Sequence, residues 1–167
     1  MLVTVSSLPQ EGEIALARTA LRTLAAHPVR VVVTLTAGHP RDELGAVPAN
    51  ARIELFVPHS AVLKRSGLLV SHAGHGVVAK ALYYGVPMVL VPWDRDQPGV
   101  AARAATLGVA EVIARHDLTE RRLSAAIDKV LSTPSYQENA ARIAGRLQAR
   151  DAVAIARARI EELLETT

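Results

Sequence analysis

GLLVSHAGHGVVAKALYYGVPMVLV, residues 67–91, decides how the chain folds. A short apolar run at 67–71 meets a turn of two glycines and two histidines, His72-Ala73-Gly74-His75-Gly76. Helical character follows over 75–84, and Tyr84-Gly85-Val86-Pro87 stops it before a second apolar run at 88–91. Runs this short and continuous belong to strands covered on both faces; a half-exposed strand would alternate apolar with polar. Strand, helix and strand in such close succession make a βαβ unit with a right-handed crossover.

The same alternation continues in both directions. Upstream, residues 2–6, 29–35 and 52–57 read as strands. A helix at 11–26 buries Ile14, Leu16, Ala17, Leu21 and Leu24, and a polar loop surrounds Gly38-His39-Pro40. Pro58 closes the third strand, and a brief helical stretch spans 60–65. Downstream come a helix at 100–107 and a sixth strand at 109–113. From Leu118 the pattern is helical only: Thr119 starts one helix, Pro134 is the first residue of another, and Asp151 caps a third. In that last helix Val153, Ala156, Ile160, Leu163 and Leu164 form an apolar stripe that calls for a partner surface. The expected fold is α/β: a Rossmann-like, doubly wound parallel sheet of about six strands with C-terminal helices. Residues 1–167 read as a single domain, without an internal repeat or a low-complexity linker.

Composition narrows the function. Half of the 167 residues are hydrophobic and 21% are charged, a globular balance that builds a core without staples. There is no cysteine, which excludes a disulfide scaffold, a thiolate metal site and a cysteine nucleophile. Net charge is +3; Lys64, Lys80 and Lys129 are the lysines, and 16 arginines are spread among 16 acids. Nucleic-acid binders gather basic charge on one stripe and add stacking rings, and here aromatics are only 3%, so no nucleic-acid partner is expected. No apolar run approaches the ~20 residues a bilayer requires, and residues 1–6 lack the pattern of a signal peptide. The expectation is a cytoplasmic domain that does not meet a membrane.

Parallel sheets of this type bind ligands beyond the carboxyl ends of their strands. The glycines of the 72–76 turn admit a ligand close to the backbone, and the helix start adds unpaired N–H groups, so the turn reads as an anion site with His72 as a further donor. A plainer reading has the glycines serving only the turn's dihedrals. After the 88–91 strand, Asp96 and Gln97 put a carboxylate beside a carboxamide, which suits neighbouring hydroxyls on a sugar; the alternative is that Asp96 caps the helix near Pro98. Gly74-His75-Gly76-Val77-Val78-Ala79 also satisfies the dinucleotide fingerprint, with Asp94 twenty residues beyond Gly74, the pattern of an NAD(P)-binding oxidoreductase. That fingerprint ordinarily occupies the first strand–helix turn; here it follows the fourth strand and leaves His72, Gln97 and Phe56 without a task.

Taken together, His72-Ala73-Gly74-His75-Gly76, Tyr84-Gly85-Val86-Pro87 and Val91-Pro92-Trp93-Asp94-Arg95-Asp96-Gln97-Pro98 resemble the donor-binding half of GT-B glycosyltransferases. The likeness is to the macrolide- and antibiotic-type enzymes of bacteria and to UDP-sugar transferases, and it runs over essentially the whole chain. It implies a UDP- or TDP-sugar as donor, with no metal required. It implies that Phe56 stacks under the base and that His59 contacts it. Ser7, His72, Gly74, His75, Gly76 and Val77 would surround the diphosphate, and Asp96 and Gln97 would bind the transferred sugar.

The pattern also departs from the family. Val77 stands where a phosphate-binding Thr or Ser is usual, Lys80 where a ribose-binding Glu is usual, and Ser7-Leu8-Pro9 where a Gly is common. Each loss removes on the order of 1 kcal/mol of donor affinity. The family's catalytic base and acceptor pocket lie in an N-terminal domain, and no histidine here matches that base, so no catalytic residue is assigned in this chain. The implied function is donor binding for an inverting transfer of a hexose to a small-molecule hydroxyl, with an N-terminal acceptor domain or partner chain. A homodimer through the last helix, a non-catalytic nucleotide-sugar-binding subunit and a nucleotide-sugar epimerase stand as alternatives.

Overall fold

The computed structural model describes residues 1–36 and 38–165. Six strands form one parallel sheet: β1 (Leu2–Thr4), β2 (Val31–Thr34), β3 (Ala51–Glu54), β4 (Leu69–Ser71), β5 (Met88–Leu90) and β6 (Ala110–Val112). Their spatial order is β3-β2-β1-β4-β5-β6, so the winding reverses between β1 and β4. The helices are α1 (Ile14–Leu24), α2 (His59–Leu63), α3 (His75–Tyr84), α4 (Gln97–Thr106), α5 (Glu120–Ser132), α6 (Pro134–Gln148) and α7 (Ala152–Glu165).

Each strand splits its side chains between two cores. Val3, Val33, Val70 and Val89 point to the layer holding α1 and α5. Leu2, Leu69, Met88 and Leu90 point to the layer holding α3 and α4, where Ala140 of α6 also packs. Both faces are covered over β1, β2, β4 and β5, which is why those strands are apolar up to their last residue, whereas the edge strands carry Arg52 and Glu54 in β3 and Glu111 in β6. Gly85 ends α3 at φ +67, and a Cβ there would lie 3.4 Å from Ala141 Cα and Ala144 Cβ. Gly85 thus serves both the left-handed cap and the close approach of α6.

The expected fold holds, with shifted ends. The strands are shorter than their apolar runs. α4 begins at Gln97 rather than at residue 100, with Pro98 in its first turn where a missing N–H costs nothing. Thr119 caps α5 by accepting a hydrogen bond from the Arg122 amide (3.2 Å), and Asp151 caps α7 by accepting from the Ala154 amide (2.9 Å). The apolar stripe of α7 is exposed along its length.

Candidate functional site

A cleft of about 530 Å³ opens over the carboxyl ends of β1, β2 and β4, at the reversal of the winding. On its floor lie Thr4 and Thr34, part of a row of hydroxyls whose third member, Ser71, is fully buried and outside the lining. Thr34, Thr4 and Ser71 are register partners and end β2, β1 and β4. Thr34 Oγ1 donates to Thr4 Oγ1 at 2.7 Å, and His59 Nε2 lies 3.1 Å from Thr34 Oγ1. Sequence reasoning passed over this row, although the signal was present: three apolar strands each end on Ser or Thr.

One wall is the turn after β4. Its backbone strain sits at Ala73 (φ 69), not at a glycine. Gly74 has ordinary extended dihedrals (φ −60, ψ 134), so the dihedral explanation of that glycine fails. The steric one holds: a Cβ on Gly74 would lie 2.5 Å from His72 Nε2. Gly74 is a glycine so that the imidazole can lie against the turn. Val77 and Val78 both direct their amides to the Gly74 carbonyl (3.2 and 3.1 Å), whereas the His75 and Gly76 amides have no acceptor among the described residues. Val77 lines the cleft, as the resemblance implies, but without a free donor. Its side chain has no donor and its amide is engaged, so it serves as cleft wall, and the open N–H groups are those of His75 and Gly76.

His72 is buried on the other side of the same turn. Its Nδ1 lies 3.4 Å from the Thr4 carbonyl oxygen, 3.4 Å from Ser71 Oγ and 3.7 Å from Glu13 Oε1. Burial holds the ring below the usual imidazole range, against the attraction of Glu13, so it is neutral at pH 7. His59 is lowered too, by burial and then by the nearby charges of Lys80 and His72. Glu13, which the sequence shows only as an acid at the start of a helix, is fully buried and accepts from the Ser6 amide at 2.5 Å and the Gln10 amide at 3.3 Å.

The remaining expected residues line the same cleft. Ser7 is exposed at its edge, and Phe56 presents an apolar ring that is 84% exposed. His75 is exposed beside the cleft, as is Lys80 one helical turn further on. Asp96 makes no capping bond, which removes the plainer explanation for it. Gln97 has the structural role instead: it is 2% exposed, and its Oε1 accepts from the Trp93 amide (2.7 Å) and the Asp94 amide (3.1 Å). Only its amide N–H groups remain for a ligand. Just before Asp96 and Gln97, Arg95, at φ 61, adds a cation to the lining that the sequence did not single out. Asp94, the acid the dinucleotide fingerprint would place on a ribose, does not line the cleft.

The site can therefore hold an elongated anion. Amide dipoles and an imidazole meet its charge, an unpaired ring meets an aromatic base, and a carboxylate with amide donors meets hydroxyls.

Comparison with known proteins agrees. Residues 18–163 match the family described as "Erythromycin biosynthesis protein CIII-like, C-terminal domain". Over 145 residues the chain is 39% identical to 4'-demethylrebeccamycin synthase of Lentzea aerocolonigenes, covering 87% of this chain and 34% of that protein. Over 137 residues it is 30% identical to demethyllactenocin mycarosyltransferase of Streptomyces fradiae, covering 82% of this chain and 30% of that one. Among solved structures, the glycosyltransferase VinC in complex with dTDP superposes with a TM-score of 0.82 at 28% identity, over 99% of this chain and 42% of VinC. The calicheamicin glycosyltransferase CalG4 shares the fold at a TM-score of 0.90 and 23% identity, over 99% of this chain and 43% of CalG4. The chain thus spans about a third of the curated relatives (34% and 30%) and under half of the solved ones (42% and 43%). With the sheet order and the cleft described above, these matches show that the chain belongs to the erythromycin biosynthesis protein CIII-like C-terminal domain family, with the fold of the donor-side half of GT-B glycosyltransferases.

Proposed function

We propose that this chain binds the UDP- or TDP-sugar from which an inverting glycosyltransferase moves a hexose to a hydroxyl of a small-molecule acceptor in the cytoplasm. The observation that carries this reading is one cleft holding the open His75 and Gly76 amides, the His72 imidazole and the unpartnered Phe56 ring. Relatives named as a mycarosyltransferase and as a glycosyltransferase with bound dTDP support it. An NAD(P) reading has no such support, because Asp94 lies outside the cleft.

In this reading, departure of the nucleoside diphosphate leaves negative charge on its terminal phosphate. The amide dipoles at the start of α3 are already aimed at that charge, so they lower the barrier without reorganising, with the His72 ring beside them at the cleft edge. Asp96 and the Gln97 amide hold the hexose hydroxyls and orient the anomeric carbon. The acceptor hydroxyl and the base that takes its proton come from an N-terminal domain or partner chain, so this chain alone binds donor without transferring it.

Calorimetry on the purified chain tests the reading. dTDP or UDP is expected to bind, and NADH to give no saturable heat. Binding of NADH with no response to either diphosphate would overturn it.

A further inference from the structure

Glu13 is the only buried carboxylate among the described residues, and its exposure is 0%. Burying an ionised carboxylate costs several kcal/mol unless a cation or a full set of donors meets it. Two backbone amides meet this one, those of Ser6 and Gln10. Its remaining neighbours are imidazoles held just out of hydrogen-bond reach: His72 Nδ1 at 3.7 Å and His39 Nε2 at 3.7 Å. His39 Nδ1 is taken by Thr36 Oγ1 at 2.9 Å, and its buried Nε2 has no partner. A carboxylate whose work was only structural would have closed these bonds.

The geometry also decides where the His72 proton lies. Every strong acceptor near the ring, the Thr4 carbonyl and Glu13 Oε1, is on the Nδ1 side. The proton of the neutral ring therefore sits on Nδ1, and Nε2, against Gly74, carries a lone pair. A lone pair cannot donate to a phosphate oxygen. We propose that Glu13 is a positioning residue of the diphosphate cradle: its two amide bonds pin the β1–α1 loop and its charge faces the Nδ1 edge of His72, so that a bound diphosphate draws a proton from solvent onto Nε2.

The proposal rests on the donor-binding reading and adds a coupled proton to it. The resulting chain is carboxylate, imidazolium, diphosphate, with charge alternating along it. The groups around the ring divide. Glu13, the Thr4 carbonyl and Asp96 favour the second proton, whereas burial and His39 oppose it; His59, itself lowered by burial and by Lys80, faces the same cleft as a neutral ring. Before binding, the opposing side prevails and the ring is neutral at pH 7. A diphosphate at Nε2 reverses the balance. Since the protonated ring binds more tightly, affinity rises as pH falls from the ring's pKa in the complex towards its lower value in the free protein.

The test is dTDP calorimetry at pH 7 in buffers of different ionisation enthalpy, which counts protons taken up. The wild-type chain is expected to take up more protons than His72→Asn; the nucleotide's own titration is common to both and cancels. Glu13→Gln keeps an oxygen for one loop amide, and is expected to bind on the order of tenfold more weakly and to lose the excess proton. A merely structural Glu13 would weaken binding with the proton count intact. Should Glu13→Gln fail to fold, ¹⁵N-histidine NMR of the wild-type chain decides: an Nδ1–H tautomer without ligand and an imidazolium with dTDP support the proposal, and a neutral ring in the complex overturns it. Equal proton counts in all three proteins would sink this inference alone, whereas no dTDP binding by the wild type would remove the donor reading with it.

Discussion

Gly74→Ala is expected to cut dTDP affinity roughly a hundredfold, about 2.7 kcal/mol, while lowering Tm by no more than about 3 °C. The two effects separate because of what the new methyl meets. Its nearest neighbour is His72 Nε2 at 2.5 Å, and the next two atoms, at 3.1 and 3.4 Å, belong to the same ring. The ring can swing aside at small cost to the fold, but it then leaves the edge of the cleft and takes its hydrogen bond with it. Gly67→Ala is the internal control, because nothing lies within 4 Å of a Cβ there and the residue is outside the cleft lining. Unchanged affinity in Gly74→Ala, measured by the same titration, would mean that the His72 position is irrelevant to the ligand.

Gln97→Ala is the second large effect, and it should strike stability and binding together. The Gln97 carbonyl oxygen is the only acceptor shown for the Trp93 and Asp94 amides. Losing both bonds, with the burial of the side chain, is expected to cost about 2 kcal/mol, or roughly 4–8 °C in Tm. The loop it clamps includes Arg95 at φ 61, a backbone state that persists only when its surroundings enforce it. Trp93 anchors the loop's other end by donating from Nε1 to the Glu11 carbonyl at 3.1 Å. Released at Gln97, the loop should lose Asp96 from the cleft, and nucleotide-sugar affinity should fall more than about tenfold. Gln97→Glu keeps oxygens for the two amides but buries a carboxylate and removes the donors, so it should recover only part of the lost stability and still bind the sugar nucleotide weakly. Asp96→Asn, at an exposed residue, should leave Tm alone and weaken the nucleotide sugar more than dTDP. A Gln97→Ala chain as stable as wild type would refute the clamp.

The fold was legible because its signals are local. Continuous apolar runs such as Leu68-Leu69-Val70 mark strands, and Thr119, Pro134 and Asp151 mark helix starts. The start of α4 was legible only in the alternative that placed a helix entry at Asp96 and Pro98, because the apolar period begins at Val100; Asp96 holds the N-cap position without a side-chain bond, and the Gln97 clamp was hidden. In the site, the glycine–histidine turn was readable from its own five residues. Glu13 was not. Its burial depends on Ser6, His39 and His72, which lie far apart in the chain and meet only because β1 sits between β2 and β4. The sequence likewise suggested Gln97 as a sugar ligand and concealed that half of its amide is committed to the loop.

A crystal structure of the chain soaked with a dTDP-sugar measures the central claim most directly. The account predicts the diphosphate against the amides of His75 and Gly76 with His72 Nε2 on a phosphate oxygen, the base over Phe56, and the hexose beside Asp96. Density for the nucleotide anywhere else on the molecule, or a diphosphate that leaves those two amides unpaired, would contradict it.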